Sequence, residues 1–568
     1  MSLAWLRAAP PLTVAVLVLP IGAGLLGTLL PAFGHMPAIG VQGGGLQAWR
    51  ALWAEPGFAA SLQLTLLTGL LATLLSVALA IGLVAVVVTR PWAQRLGGWL
   101  APVLATPHSA LAIGFAFLIA PSGWLVRWVS PGLTGWNLPP DFSTVGHPSG
   151  LALVACLLLK EVPYLVLMAL GALNQVAAPA QMAAARALGH APATAFLKVV
   201  LPQLWPQIRL PVFAVLAFSL SVVDVALVLG PGNPPTLAVL ALRWFSAPDI
   251  QRYPQAAAAA VLLLGLVLAC MLAWRLLERA LAPLARRWIE GGERTGLAGP
   301  ASALAAGWAL LGLGLSALAL LALALWSLAQ GWRYPDALPS AWTWANWQRQ
   351  GGGLLQPATH TVLVAGAATV LALLLTLACL ENEVRPGANQ AAAPRTAGRG
   401  LLWLLYLPLL VPQVAFLFGA QVLLVRARLD ATLAAVVLAH LVFVLPYLYL
   451  SLADPWRAFD ARYARSAASL GASPARVFWR VKLPILLKPM LLACAVAVAV
   501  SVGQYLPTLF AGSGRFATLT TEAVTLASGQ DRRVTAVWAM LQAALPWLGF
   551  VLAGLLPRWL FAGRRGMA

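Results

Sequence analysis

Twelve long, predominantly apolar stretches run through this chain, at roughly 11–31, 60–88, 99–120, 150–173, 208–230, 257–277, 303–329, 359–380, 401–425, 431–453, 486–510 and 535–560. A helix rises about 1.5 Å per residue and the hydrocarbon of a bilayer is about 30 Å thick, so each stretch is long enough to cross a membrane. A water-soluble fold cannot accommodate them. Of the 568 residues, 61% are hydrophobic and 9% are charged, too little charge to cover that apolar surface. The same apolar richness excludes disorder. The expected fold class is an all-α polytopic membrane protein of about 12 transmembrane helices. Arg7 precedes the first stretch as it would in a signal peptide, but the stretch is long and no clear Ala-x-Ala site follows. An uncleaved first helix is therefore expected.

The net charge of +20 does not point to nucleic acid, because the basic residues are dispersed between apolar runs. With the N-terminus placed in the cytoplasm, 24 Lys and Arg fall in cytoplasmic segments and 11 in outer loops, with Lys160 inside the fourth stretch. The cytoplasmic set includes Arg95, Arg385, Arg395, Arg399, Arg564 and Arg565. That bias obeys the positive-inside rule and predicts both termini inside. Cys156, Cys270, Cys379 and Cys494 are far apart within apolar stretches and have no metal-ligand spacing, so they read as packing residues. No metal site is expected.

The chain contains a segment twice. Leu188-Gly189-His190-Ala191-Pro192 through Leu201-Pro202 matches Leu470-Gly471-Ala472-Ser473-Pro474 through Leu483-Pro484, with eight of fifteen residues identical at a constant offset of 282. Weaker echoes accompany it. Pro163-Tyr164-Leu165 parallels Pro446-Tyr447-Leu448, and Thr65, Ala72 and Thr73 parallel Thr361, Ala368 and Thr369. Gln42-Gly43-Gly44-Gly45-Leu46 parallels Gln350-Gly351-Gly352-Gly353-Leu354, each expected ahead of the second helix of its half. The expected organisation is a first half at 1–280, a cytoplasmic linker at 281–302 and a second half at 303–568. The halves are two parallel six-helix repeats about a pseudo-two-fold axis along the membrane normal.

The duplicated loop reads as helix, glycine turn, helix. Residues 181–188 are strong helix formers. Gly189 suits a left-handed cap, Pro192 can open a second short helix, and Leu201-Pro202 ends it. Gly471, Pro474, Phe478, Leu483 and Pro484 repeat Gly189, Pro192, Phe196, Leu201 and Pro202. One reading is a loop that only connects helices. The other is an element that docks into a two-fold symmetric partner, which the preserved glycine, aromatic and proline spacing favours.

This loop resembles the EAA loop of ABC importer permeases: Glu-Ala-Ala, three residues, Gly, then Ile-x-Leu-Pro with proline thirteen residues after the glycine. Both copies keep that spacing. The two-times-six arrangement is similar to the fused permeases of ferric-iron and thiamine importers. The family's Glu falls on Ala183 and Arg465, and its alanines on Ala184-Ala185 and Ser466-Ala467, so the acidic contact does not carry over. Arg186, Lys198, Arg476, Arg480 and Lys482 offer substitute polar contacts or serve topology alone. The resemblance implies a permease subunit with no bound cofactor and no catalytic residue. It also implies two copies of a cytoplasmic ATPase carrying ATP and Mg, a periplasmic or extracellular solute-binding protein, a lipid surround and a place in the bacterial inner membrane.

The chain has no Gly-Lys pair, so it lacks the loop that would hold nucleotide phosphates, and it has no HExxH motif. Lys160, Glu161 and Asp224 lie within apolar stretches and are expected to face protein or a water-filled cavity. They read either as part of a translocation path or as groups neutralised in packing. An ion- or proton-coupled secondary transporter shares the helix count but has no need of a duplicated docking loop. Pro102, Pro107, Pro408 and Pro412 are expected to bend the third and ninth helices.

Overall fold

The computed structural model describes residues 3–90, 92–93, 96–296, 298–383, 404–529 and 531–561; Arg95, Arg385, Arg395, Arg399, Arg564 and Arg565 lie outside them. The described residues are mostly helical, with one short antiparallel pair of strands, Ala329–Gly331 against Ala341–Trp342. Ten helices among them are long and apolar enough to cross a bilayer. The number reaches twelve if two bent pairs each form one span: Leu404–Leu410 with Gln413–Arg426, bent by 100°, and Pro474–Ile485 with Leu487–Val502, bent by 72°. The all-α polytopic class is thus the observed one.

Several boundaries differ from expectation. The sixth helix runs Tyr253–Glu290 and the seventh starts at Ala298, so most of the expected linker 281–302 is helical and the connection narrows to about 291–296. Arginines and leucines alternate along 275–290 at helical spacing, so the helix extends beyond the apolar run. The eighth helix spans Ala345–Glu383 and contains Gly351–Gly353, whereas Gly43–Gly45 lie in irregular chain before Gln47–Ala54. The two glycine runs therefore occupy different local structures.

Four expected spans are interrupted. Leu96–Ala105 stops before Pro107 and His108–Ile119 begins after it; Leu404–Leu410 stops before Pro412 and Gln413–Arg426 follows. Proline lacks an N–H and forces the preceding residue out of the helical region, so Pro107 and Pro412 make the breaks. Pro102 and Pro408 sit inside helical turns. The other two breaks fall between Leu201–Ser221 and Asp224–Leu229, and between Leu487–Val502 and Leu506–Ala511. No proline adjoins the first; at the second, Pro507 opens the helix that follows the break. Extended Val222 (ψ 137°) turns the chain at the first, and Gly503-Gln504 does so at the second.

The two halves interlock through their first helices. Ala9–Ala32 packs on Gln413–Arg426, and Ala298–Leu328 packs on Phe58–Thr89 and His108–Ile119. Glycines permit these approaches. A Cβ on Gly24 would lie 2.3 Å from the Phe416 carbonyl oxygen, and one on Gly419 would lie 2.0 Å from that of Gly24. Helices in lipid gain from close backbone packing because burial away from water no longer drives their association.

Candidate functional site

Each loop is built by its sequence. Ala178–Ala187 ends on Gly189 at φ +88°, and Ala461–Ser469 ends on Gly471 at φ +81°. The amides of Gly189 and His190 donate to Arg186 and Ala185 carbonyls; those of Gly471 and Ala472 donate to Ala468 and Ala467. Both glycines thus close the same left-handed cap, a conformation that favours glycine. Short helices follow at Pro192–Ala195 and Pro474–Val477. One wide turn then occupies Phe196–Val200 and Phe478–Lys482, with Leu201 and Leu483 amides reaching back to Phe196 and Phe478 carbonyls. Pro202 and Pro484 explain it. A proline ring clashes with the carbonyl four residues earlier, and a widened turn relieves the clash.

The docking candidates divide between exposed and rooted residues. Ala183, Ala184, Gly189, Pro192, Pro202, Arg465, Gly471 and Pro474 are exposed, while Leu201, Ala467, Phe478, Leu483 and Pro484 are partly buried. Phe196 is fully buried among Val84, Leu165, Ala169 and Leu204, anchoring the first loop to its half. Leu188 and Leu470, just before the two glycines, are 65% and 87% exposed, so each loop presents an uncovered apolar tip.

Of the five cations considered as substitute contacts, Arg186, Arg476 and Arg480 are exposed, but the two lysines are engaged inside the chain. Lys198 Nζ donates to the Gly291 and Glu293 carbonyls (2.9 and 3.0 Å) over the Trp288 ring. Lys482 pairs with Glu381 over the Trp456 ring. The connection between the halves also braces the first loop, since Ala191 N donates to Arg294 O at 2.8 Å.

Lys160, Glu161 and Asp224 line one cavity of about 400 Å³ between the halves. The four helix breaks border it through Thr106-Pro107, Val222-Val223, Val411 and Gly503-Gln504-Tyr505. Tyr164 and Tyr447, the paired tyrosines of the Pro-Tyr-Leu echo, face it from opposite halves. Its lining continues along Leu167, Met168 and Ser451, toward the end of the bundle that carries the loops. At the other end, side chains from both halves meet. Phe245 stacks on Phe418 at 4.0 Å between centroids; Arg127 donates to the Arg333 and Asp336 carbonyls, and Arg532 to the Ser122 carbonyl and hydroxyl.

Lys160 does not simply neutralise its neighbour. Its ammonium donates to the carbonyls of Val103 (3.0 Å), Leu104 (3.1 Å) and Thr106 (2.5 Å), which the Pro107 break leaves without helical partners. Glu161 lies 3.7 Å from His108 Nε2. Sequence reasoning passed over His440, which is buried and touches Ser501 Oγ and Thr508 Oγ1 at 2.8 Å, one on each side of the Gly503 break. It also passed over His108, Gln504 and Gln542. The Gln542 amide donates to the Ser109 hydroxyl of the first half and to the Thr520 hydroxyl of its own half. Isolated polar residues in apolar runs were their only sequence signal. Thr65 and Thr361 gain a reason for their echo: each hydroxyl accepts an amide at the start of a helix, Leu237 (2.8 Å) and Leu519 (3.0 Å).

Comparison with known proteins decides the family. The chain is 33% identical over 523 residues to the inner membrane ABC transporter permease protein YnjC of Escherichia coli, covering 92% of this chain and 93% of that one. This chain is an ABC transporter permease. A shorter match, 36% over 188 residues, covers 31% of the permease and 70% of the molybdenum transport system permease protein ModB of Mycobacterium tuberculosis. Another, 22% over 173 residues, covers 30% of it and 63% of the spermidine/putrescine transport system permease protein PotC of Haemophilus influenzae. No family model matches the chain. None of these three names mentions iron or thiamine, so the likeness to those importers extends to the family and stops short of the cargo. The permease is a multi-pass importer component and not an enzyme.

Proposed function

We propose that the seam cavity is the translocation path of this importer, and that two copies of a cytoplasmic ATPase grip the two helix–glycine–helix loops and rock the halves against each other. The observation that carries this is the loop pair. The two loops share the left-handed glycine cap, the proline-opened short helix, the wide turn and an uncovered leucine. A pair of equal handles suits a two-fold partner. Phe196 ties one handle firmly to its helices, so a push at the loop moves the half as a body.

ATP and Mg belong to the partner in this reading, and a solute-binding protein delivers cargo at the opposite end. Both termini and the loops lie on the cytoplasmic side of the inner membrane. The first half occupies 1–280 and the second 303–568, joined by the short connection that braces the first loop. With Ala183 and Arg465 in place of the family's glutamate, contact rests on Leu188, Leu470 and the exposed arginines.

Co-purification of the ATPase with the full chain tests the docking. The double variant Gly189→Val/Gly471→Val is expected to lose the ATPase while keeping its elution profile in detergent. A double variant that retains the ATPase at wild-type stoichiometry overturns the assignment of the loops.

A further inference from the structure

Resting on the reading of the seam as the cargo path, we propose that the cavity is a subsite for an organic cation with a hydrogen-bond-donating nitrogen on an apolar or aromatic body. Glu161 and Asp224 both line it. The one lysine beside them is already used: the three donors of Lys160 go to the carbonyls of Val103, Leu104 and Thr106. His108 stands 3.7 Å from Glu161, and Asp224 has no ion-pair partner among the described residues. An anion entering this space meets two carboxylates and no available ammonium.

An independent observation points the same way. Gln504 is 8% exposed and lines the cavity, and its Oε1 is a buried acceptor with no donor among the described residues. An unmatched buried acceptor is costly unless a ligand donates to it. The walls add Tyr164, Phe218, Tyr447 and Tyr505, whose ring faces attract cations. A bare metal ion is a poor occupant, because no group of three or more His, Cys, Asp or Glu among the described residues is placed to hold one. The volume of about 400 Å³ suits a small organic molecule.

Three probes of nearly equal shape test the proposal on the purified full-length chain in detergent, by calorimetric titration: benzamidinium, benzamide and benzoate. Benzamidinium is expected to saturate below about 10 mM, a weak but specific affinity, and the neutral and anionic probes are not. Asp224→Asn is expected to weaken benzamidinium by about tenfold or more, Asp224→Glu to stay within about threefold, and Gln504→Leu to weaken it several-fold. Thermal unfolding confirms that each variant is folded. Benzoate binding as well as benzamidinium, no benzamidinium saturation, or an unchanged Kd in a folded Asp224→Asn overturns the proposal. A chain that retains its ATPase yet shows no cation preference refutes the subsite alone. One that binds benzamidinium but no ATPase refutes the coupling reading alone.

Discussion

Lys160 shows what one polar side chain does inside a membrane bundle. Its ammonium replaces the amides that a broken helix lost, so its removal exposes orphaned carbonyls in a buried place. Lys160→Met is expected to destabilise the chain by about 1–3 kcal/mol for each carbonyl left unpaired, read as earlier denaturant unfolding in mixed micelles. Unchanged unfolding would assign those carbonyls another donor. Outside the membrane, Asp460 caps Ala461–Ser469. Its carboxylate accepts the Arg462 amide at 2.9 Å and pairs with the Arg462 guanidinium at 2.6 Å, which holds its carboxyl below the usual range. A lowered pKa means that this support is present above the ordinary carboxylate value and is lost as pH falls through the lowered one. Amide exchange at Arg462, corrected for its intrinsic pH dependence, is expected to lose protection over that acidic window in the native chain and to lack the step in Asp460→Asn. Of these roles, Gly189 and Gly471 were legible from sequence because left-handed caps call for glycine. The carbonyl cap of Lys160 was not, since its partners are 54 to 57 residues away.

Among the elements, the two loops are alike in shape and unlike in burial. Phe196 is fully buried and Phe478 partly so. Phe196→Ala is therefore expected to lose about 3–5 kcal/mol and Phe478→Ala less, a difference that the same micelle unfolding measures. The long helices were legible because apolar length is a local property. The breaks at Pro107 and Pro412 were legible from proline chemistry. That at Val222-Val223 was not, because valine is apolar; that at Gly503–Tyr505 was passed over although Gly503 and, at the start of the next helix, Pro507 were its signals. The sixth helix was underestimated for a related reason: hydropathy marks where apolar residues stop, while hydrogen bonds continue through the arginine-rich turn. Helix Gln413–Arg426 approaches Ala9–Ala32 through Gly419, whose added Cβ meets backbone on the facing helix. Gly419→Val is expected to push the helices apart and to lower the unfolding midpoint by an amount typical of overpacking, about 1–3 kcal/mol or more.

For the whole molecule, the account rests on two halves that share a seam, meet at one end through Phe245–Phe418 and the arginine contacts, and carry matched loops at the other. The duplication in sequence pointed to the seam. The crossing of each first helix onto the opposite half did not, since pairing between distant helices depends on shape and leaves only scattered glycines as a trace. The most direct test places spin labels at Asn174 and Asp454, both exposed where the helices lead into the loops, in a chain with its four cysteines replaced by alanine. The account predicts that the distance between the labels changes with ATP and Mg when the partner ATPase is bound, and stays constant without it. A change driven by an ion gradient in the isolated chain, or none with the ATPase and ATP present, would contradict the account.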